Sequence, residues 1–195
     1  MKKIVLILTL LIIFLGLGVI LKQIFNQLNK THDVELENPT YFAKRNKEKK
    51  MKLTTVFKHN EKIPSIYTCD GEDLAPELTV SEVPNEAKEL VLIVDDPDAP
   101  MGTWVHWLVY NMPANTTKIE AKNLPQGSKQ GITDFGRTGW GGPCPPSGTH
   151  RYFFKLYALD TTLDLQAGAT KSQLEQAIKG HVIEKDELVG LYKRK

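Results

Sequence analysis

Four polar side chains stand where a chain of apolar strands would ordinarily place none. They are Asp96 and Asp98 in "DDPDAP", directly after "LVLIV", His106 inside "WVHWLVY", and His150 at the head of "HRYFFKLY". Carboxylates that close an apolar strand stand at the rim of the core, where rigid scaffolds carry their binding residues. Pro97 and Pro100 fix their own φ and bias Asp96 and Ala99 towards extended backbone, so the acids are held rather than loose. A single Asp-Pro turn is more often a local Asx turn, and a single histidine on an apolar face is more often a core residue. Two histidines, each on an apolar strand and near a proline-stiffened turn, point instead to one shared site. On a regular strand His106 shares its face with Trp104, Leu108 and Tyr110.

The loop "GRTGWGGPCPPSG" contributes the remaining parts. Gly139, Gly141 and Gly142 allow backbone N–H groups to converge on an anion without Cβ interference. With one or both histidines as donors, a small oxyanion such as phosphate finds partners, and the acids either position the histidines or meet a cationic part of the ligand. A two-histidine, one-carboxylate metal site from His106, His150 and Asp96 or Asp98 is formally possible, yet the flanking residues suggest no particular metal. A Cys-His hydrolase built on Cys144 is weaker, because nothing near that cysteine resembles a helix N-terminus that would lower its pKa. Ligand binding without turnover accommodates every part, so the expectation is no catalytic residue, no cofactor and no metal.

These groups need rigid elements to hold them. From about residue 51 the chain alternates short apolar runs with Gly, Pro, Asn and Asp: "LTTVFKH", "ELTVSEV", "ELVLIVDD", "WVHWLVYNM" and "HRYFFKLYALD". Each is rich in β-branched or aromatic residues, which predicts a mostly β domain. "LVLIV" and "VHWLVY" are apolar on both faces and belong in central strands covered on both sides. One helix is predicted in "GATKSQLEQAIKGH", where Thr170 and Gln173 form a capping box, Leu174, Ala177 and Ile178 an apolar stripe, and Gly180 the stop. "DELVGLYKR" can return to the sheet as a last strand.

The N-terminal quarter is different in kind. Residues 4–21 form an uncharged apolar run, long enough to span a bilayer at the roughly 17–25 residues that a helix needs. It exceeds the usual apolar core of a signal peptide and lacks a small-residue cleavage site, so residues 1–25 read as an N-terminal membrane anchor, with a cleaved signal as the rival. Residues 26–50, closing in "KRNKEKK", are a polar linker. The lysines close to the apolar run favour a cytoplasmic N-terminus and a domain outside the cytoplasm. The net charge of +2 arises from near-equal numbers of acids and bases, which excludes the one-sided basic footprint of a nucleic-acid binder. Cys69 and Cys144 lack metal-ligand spacing and are either paired or two free thiols.

"DDPDAP" with "WVHWLVYNMP", followed by "GPCPPSGTHRYFFKLYALD", resembles the two signature regions of the phosphatidylethanolamine-binding protein family, also called the Raf kinase inhibitor family. "YTCDGEDLAPEL", "GITDFGRTGWGGPCPP" and the short spacing from Pro100 to Trp104 resemble its bacterial and archaeal branch. The resemblance covers residues 51–195. It implies two packed antiparallel sheets preceded here by the anchor, and a small pocket for phosphate-like groups lined by Asp96, Asp98, Pro100, Trp104, His106, Gly142, His150 and Tyr152. It also implies a non-enzymatic binder or modulator, whose partners include phospholipid headgroups, kinases or proteases, and a branch that is often dimeric. The chain departs from the pattern at Trp140, where a tyrosine is more usual, which puts the local hydrogen bonding in question. The anchor is not general to that family.

Overall fold

The computed structural model describes residues 20–27 and 50–195. Residues 20–27 are helical and exposed, and no helix among the described residues is long and apolar enough to cross a membrane. Most of the apolar run 4–21 and of the linker 26–50, with the anchor expected there, lies outside the described residues. By chain contacts the molecule divides at Lys49/Lys50, and everything below concerns the unit Lys50–Lys195.

Nine strands build that unit in two sheets. The smaller has the order β1 (Lys52–Thr54), β3 (Leu78–Ser81), β6 (Lys118–Ile119). The larger runs β2 (Glu61–Lys62), β9 (Val182–Tyr192), β8 (His150–Leu159), β4 (Glu89–Asp96), β5 (Trp104–Pro113), β7 (Lys129–Gln130). The pairs are antiparallel except β2 with β9, which is parallel, so the expected antiparallel sandwich is corrected at this one edge. The reason is that β2 enters from a connection that runs along β9, fixed by Asn60 N–H to Val189 O and Ile63 N–H to Leu191 O, both 2.8 Å. The run "LTTVFKH" yields only a three-residue strand, because the chain turns after Thr54.

β4 is buried along its whole length and shows why. Its alternate residues Leu90, Leu92 and Val94 meet Leu53, Leu78, Val80 and Ile119 of the smaller sheet in the main core. Val91 and Ile93 point the other way, to Leu108, Tyr110 and the buried Leu174 and Ile178 of the helix Lys171–Ile178. The helix therefore covers the outer face of the large sheet. It starts as its sequence predicts: Gln173 N–H donates to Thr170 Oγ1, and Gln173 Oε1 accepts from Thr170 N–H. Gly180 follows it at φ +83°, a conformation that a side chain would oppose.

Candidate functional site

"DDPDAP" distributes its three acids among three environments. At the end of β4, Asp95 faces the helix side, where it is fully buried and accepts from Lys155 Nζ at 2.8 and 2.9 Å and from Lys171 Nζ at 2.7 Å. Asp96, one residue on, faces the opposite side by strand alternation. Its Oδ2 accepts from His150 Nδ1 at 2.7 Å, and its Oδ1 from Asp98 N–H at 2.8 Å. Asp98 lies further out and grips Arg151: Nε–H and NH2 donate to its two oxygens at 2.8 and 2.6 Å, and the Arg151 backbone N–H donates at 3.0 Å. The guanidinium and that amide hold the Asp98 carboxyl down at about 2. By strand alternation Arg151 turns away from His150 and Tyr152, and its partner is Asp98.

His106 reaches the same place by a bulge. Val94 pairs with Trp107 but Asp95 with Val105, so β5 carries one extra residue here. The expectation that His106 shares a face with Leu108 and Tyr110 is thereby corrected. Leu108 and Tyr110 pack on the helix side, whereas His106 lies edge-on to Tyr152 and Phe135 and near Trp140, on the face of Asp96 and Trp104. The bulge lets His106 and its neighbour Trp107, which packs in the main core, both face inward. Only 3% of His106 is exposed, and Nδ1–H donates to Gly141 O at 2.5 Å.

These side chains line a cavity of about 280 Å3. Asp96, Pro100, Trp104, His106, His150 and Tyr152, all expected there, line it together. The remaining wall is Ala99, Met101, Phe135, Cys144, Pro145 and Pro146, largely apolar and absent from the sequence-based set. The proline run of "GPCPPSG" and the aromatic of "GITDFG" were visible signals; Met101, a turn tip 93% exposed, gave none. Asp98 and Gly142, also expected in the lining, are not among the lining residues.

The glycine loop plays a different part from the expected anion nest. Gly141 N–H donates to His106 O at 3.0 Å and Gly142 N–H to Asp73 Oδ1 at 2.7 Å, so both amides are spent on the fold. A Cβ on Gly142 would lie 2.2 Å from Asp73 Oδ1 and 2.6 Å from Tyr67 O, which shows that the glycine serves close chain approach. Behind this loop Cys69 and Cys144 form a disulfide, with Cα atoms 5.4 Å apart, which resolves the open choice between pairing and free thiols. Trp140, the departure from the familiar pattern, stacks on Phe154 and meets Trp107 edge-on. Its Nε1 is buried without a partner among the described residues.

Two buried polar atoms of the lining residues, His106 Nε2 and the Tyr152 hydroxyl, also lack partners among the described residues. Burial pushes the His106 imidazolium below its ordinary range, against the opposing effects of the Gly141 carbonyl, Asp96, Asp95 and Asp134. Burial, with the charges of Asp96 and Asp98, pushes the Tyr152 hydroxyl far above its ordinary value, so it remains a donor. No group of three or more metal-ligating side chains occurs among the described residues.

The sequence profile of the phosphatidylethanolamine-binding proteins matches residues 53–193. The chain belongs to that family. The UPF0098 protein of Methanothermobacter thermautotrophicus is 53% identical over 146 residues, 72% of this chain and 97% of the relative. The crystal structure of a phosphatidylethanolamine-binding protein homologue from Chlamydia trachomatis superposes with a TM-score of 0.71 at 42% identity, covering 75% of this chain and 99% of that one. YbcL of Escherichia coli, described as a new member of the mammalian family, gives 0.70 at 31% identity with the same coverage. The relatives thus consist of the β unit, and within this phosphatidylethanolamine-binding protein family the chain is a bacterial or archaeal type of member, a ligand-binding module by kinship.

Proposed function

We propose that the module binds a small phosphate-bearing group in this cavity, without covalent turnover, while tethered to a membrane by its N-terminal run. The observation that carries the reading is the pair of unpartnered buried atoms, His106 Nε2 and Tyr152 Oη, in residues that line a largely apolar cavity. Buried polar groups are almost always satisfied, so two without partners in the lining residues favour a polar ligand. The Tyr152 hydroxyl donates to an anionic oxygen, and His150 offers Nε2 while Asp96 holds its Nδ1. Asp96 acts as a positioning residue, since both its oxygens are already engaged. With the Gly141 and Gly142 amides committed elsewhere, recognition falls to these side chains. The apolar wall of Pro100, Phe135, Pro145 and Pro146 suits the carbon part of such a ligand.

The disulfide supports placing the domain outside the cytoplasm, because such bonds persist in oxidising compartments. Calorimetric titration with small phosphate compounds, repeated on His150→Ala and Tyr152→Phe, tests the pocket. Saturable binding that both substitutions weaken is expected; absent binding, or binding indifferent to both, removes the pocket from the function. Protease accessibility of the domain in intact cells tests the location, and full protection would reverse it.

A further inference from the structure

Met101 is the most exposed of the large apolar side chains among the described residues, at 93%, and it also belongs to the lining of the cavity. The turn that carries it is closed by Gly102 N–H, which donates to Ala99 O at 3.1 Å. Pro100 fixes its own φ before the methionine, and Gly102 after it stands at φ +105°, which a side chain would oppose. Asp96 and Asp98, just ahead of the turn, are tied to His150 and Arg151, so a fixed frame presents the thioether at the rim. The other described methionines contrast with it. Met51 is 1% and Met112 0% exposed, and both pack in the main core. The two cysteines are bonded to each other, so no free thiol competes for an oxidant.

We infer that Met101 is a site of oxidation by peroxide, and that its conversion to the sulfoxide turns an apolar part of the cavity mouth polar. A sulfur lone pair attacks one peroxide oxygen, the S–O bond forms and the O–O bond breaks. The second oxygen leaves as hydroxide and takes the proton of the first to become water. Sulfur loses two electrons and the peroxide gains them. Met51 and Met112 meet peroxide only when the core opens, at a cost approaching the global stability, whereas Met101 needs no opening. The sulfoxide is polar and holds its water, so an apolar group no longer gains by lying against it. The effect on the cavity rests on the ligand-binding reading above; the reaction at sulfur rests on exposure alone.

The test treats the full chain, in a maltoside detergent, with dilute hydrogen peroxide and follows each methionine with time by peptide mapping in the mass spectrometer. The Met101 sulfoxide should form at least about tenfold faster than those of Met51 and Met112. Equal rates at the three positions, or no oxidation at Met101, overturn the site. Calorimetry then compares butyl phosphate with methyl phosphate before and after the treatment. Each buried CH2 is worth about fourfold in affinity, so the untreated protein should prefer butyl phosphate, and oxidation should cut that preference about three- to tenfold. An absent or unchanged preference overturns the consequence for the cavity. If neither compound binds before treatment, the ligand reading fails together with that consequence, and the mapping still decides the oxidation site. Met101→Leu cannot form a sulfoxide, so its own preference should be the same before and after peroxide. A fall in that variant equal to the fall in the unaltered chain overturns the assignment to Met101.

Discussion

Asp96 and His150, 54 residues apart in sequence, meet in a buried 2.7 Å contact between Oδ2 and Nδ1 that joins the end of β4 to the start of β8. These strands are neighbours in the large sheet, and the contact sets which nitrogen of His150 is turned towards the cavity. Removing either partner strands the other. Asp96→Asn should cost about 1–3 kcal/mol in urea unfolding, as should His150→Phe. The double variant should cost clearly less than their sum, and strict additivity would show that the contact carries no energy.

Asp95 offers a contrasting test on the opposite face. Lys155 reaches both of its oxygens and Lys171 one of them, so each lysine covers for the other. Lys171→Met or Lys155→Met alone should lower stability by less than about 1 kcal/mol. Together they leave a fully buried carboxylate without compensation, and the loss should reach about 3 kcal/mol or more. Thermal unfolding of the three variants reads this directly, and simple addition of the single effects would refute it.

The Cys69–Cys144 bridge closes a loop of 75 residues and fastens the wall that carries Pro145 and Pro146. Cys69→Ala with Cys144→Ala should cost about 2–5 kcal/mol, chiefly by freeing the unfolded chain. Unfolding of the unaltered protein with and without reductant should show the same loss, and a negligible difference between them would contradict the estimate.

Burial of His106 gives stability a pH dependence of definite sign. Its folded pKa lies below the ordinary 6.5, so between those values the unfolded chain takes up a proton that the native ring refuses. Stability from this group is complete above about 6.5 and falls as the pH drops below it, by up to about 1.4 kcal/mol per pH unit. Chemical unfolding from about pH 7.5 to 5 should show that limb in the unaltered chain and a flatter one in His106→Gln. Equal slopes would mean that other groups cause it.

Much of this protein is written in short-range pattern. The two-residue alternation of "ELVLIVDD" places β4 between two apolar layers and sends Asp95 and Asp96 to opposite faces. The capping box of Thr170 and Gln173 starts its helix where the sequence says, and the order of the histidine and aspartate motifs points to the cavity that Asp96, His106, His150 and Tyr152 line. Each of these features depends on neighbours a few residues away, so it survives in the sequence alone. What only the tertiary structure decided depends on partners far along the chain. The bulge that turns His106 inward is visible only against the pairing of β5 with β4. The amides of Gly141 and Gly142 are taken by His106 O and Asp73, and Cys69 comes within bonding reach of Cys144 only once its loop packs there. A hydrogen bond or disulfide between distant residues leaves no periodicity behind, which is why residue types pointed to this cavity while folding determined which of its polar atoms have partners.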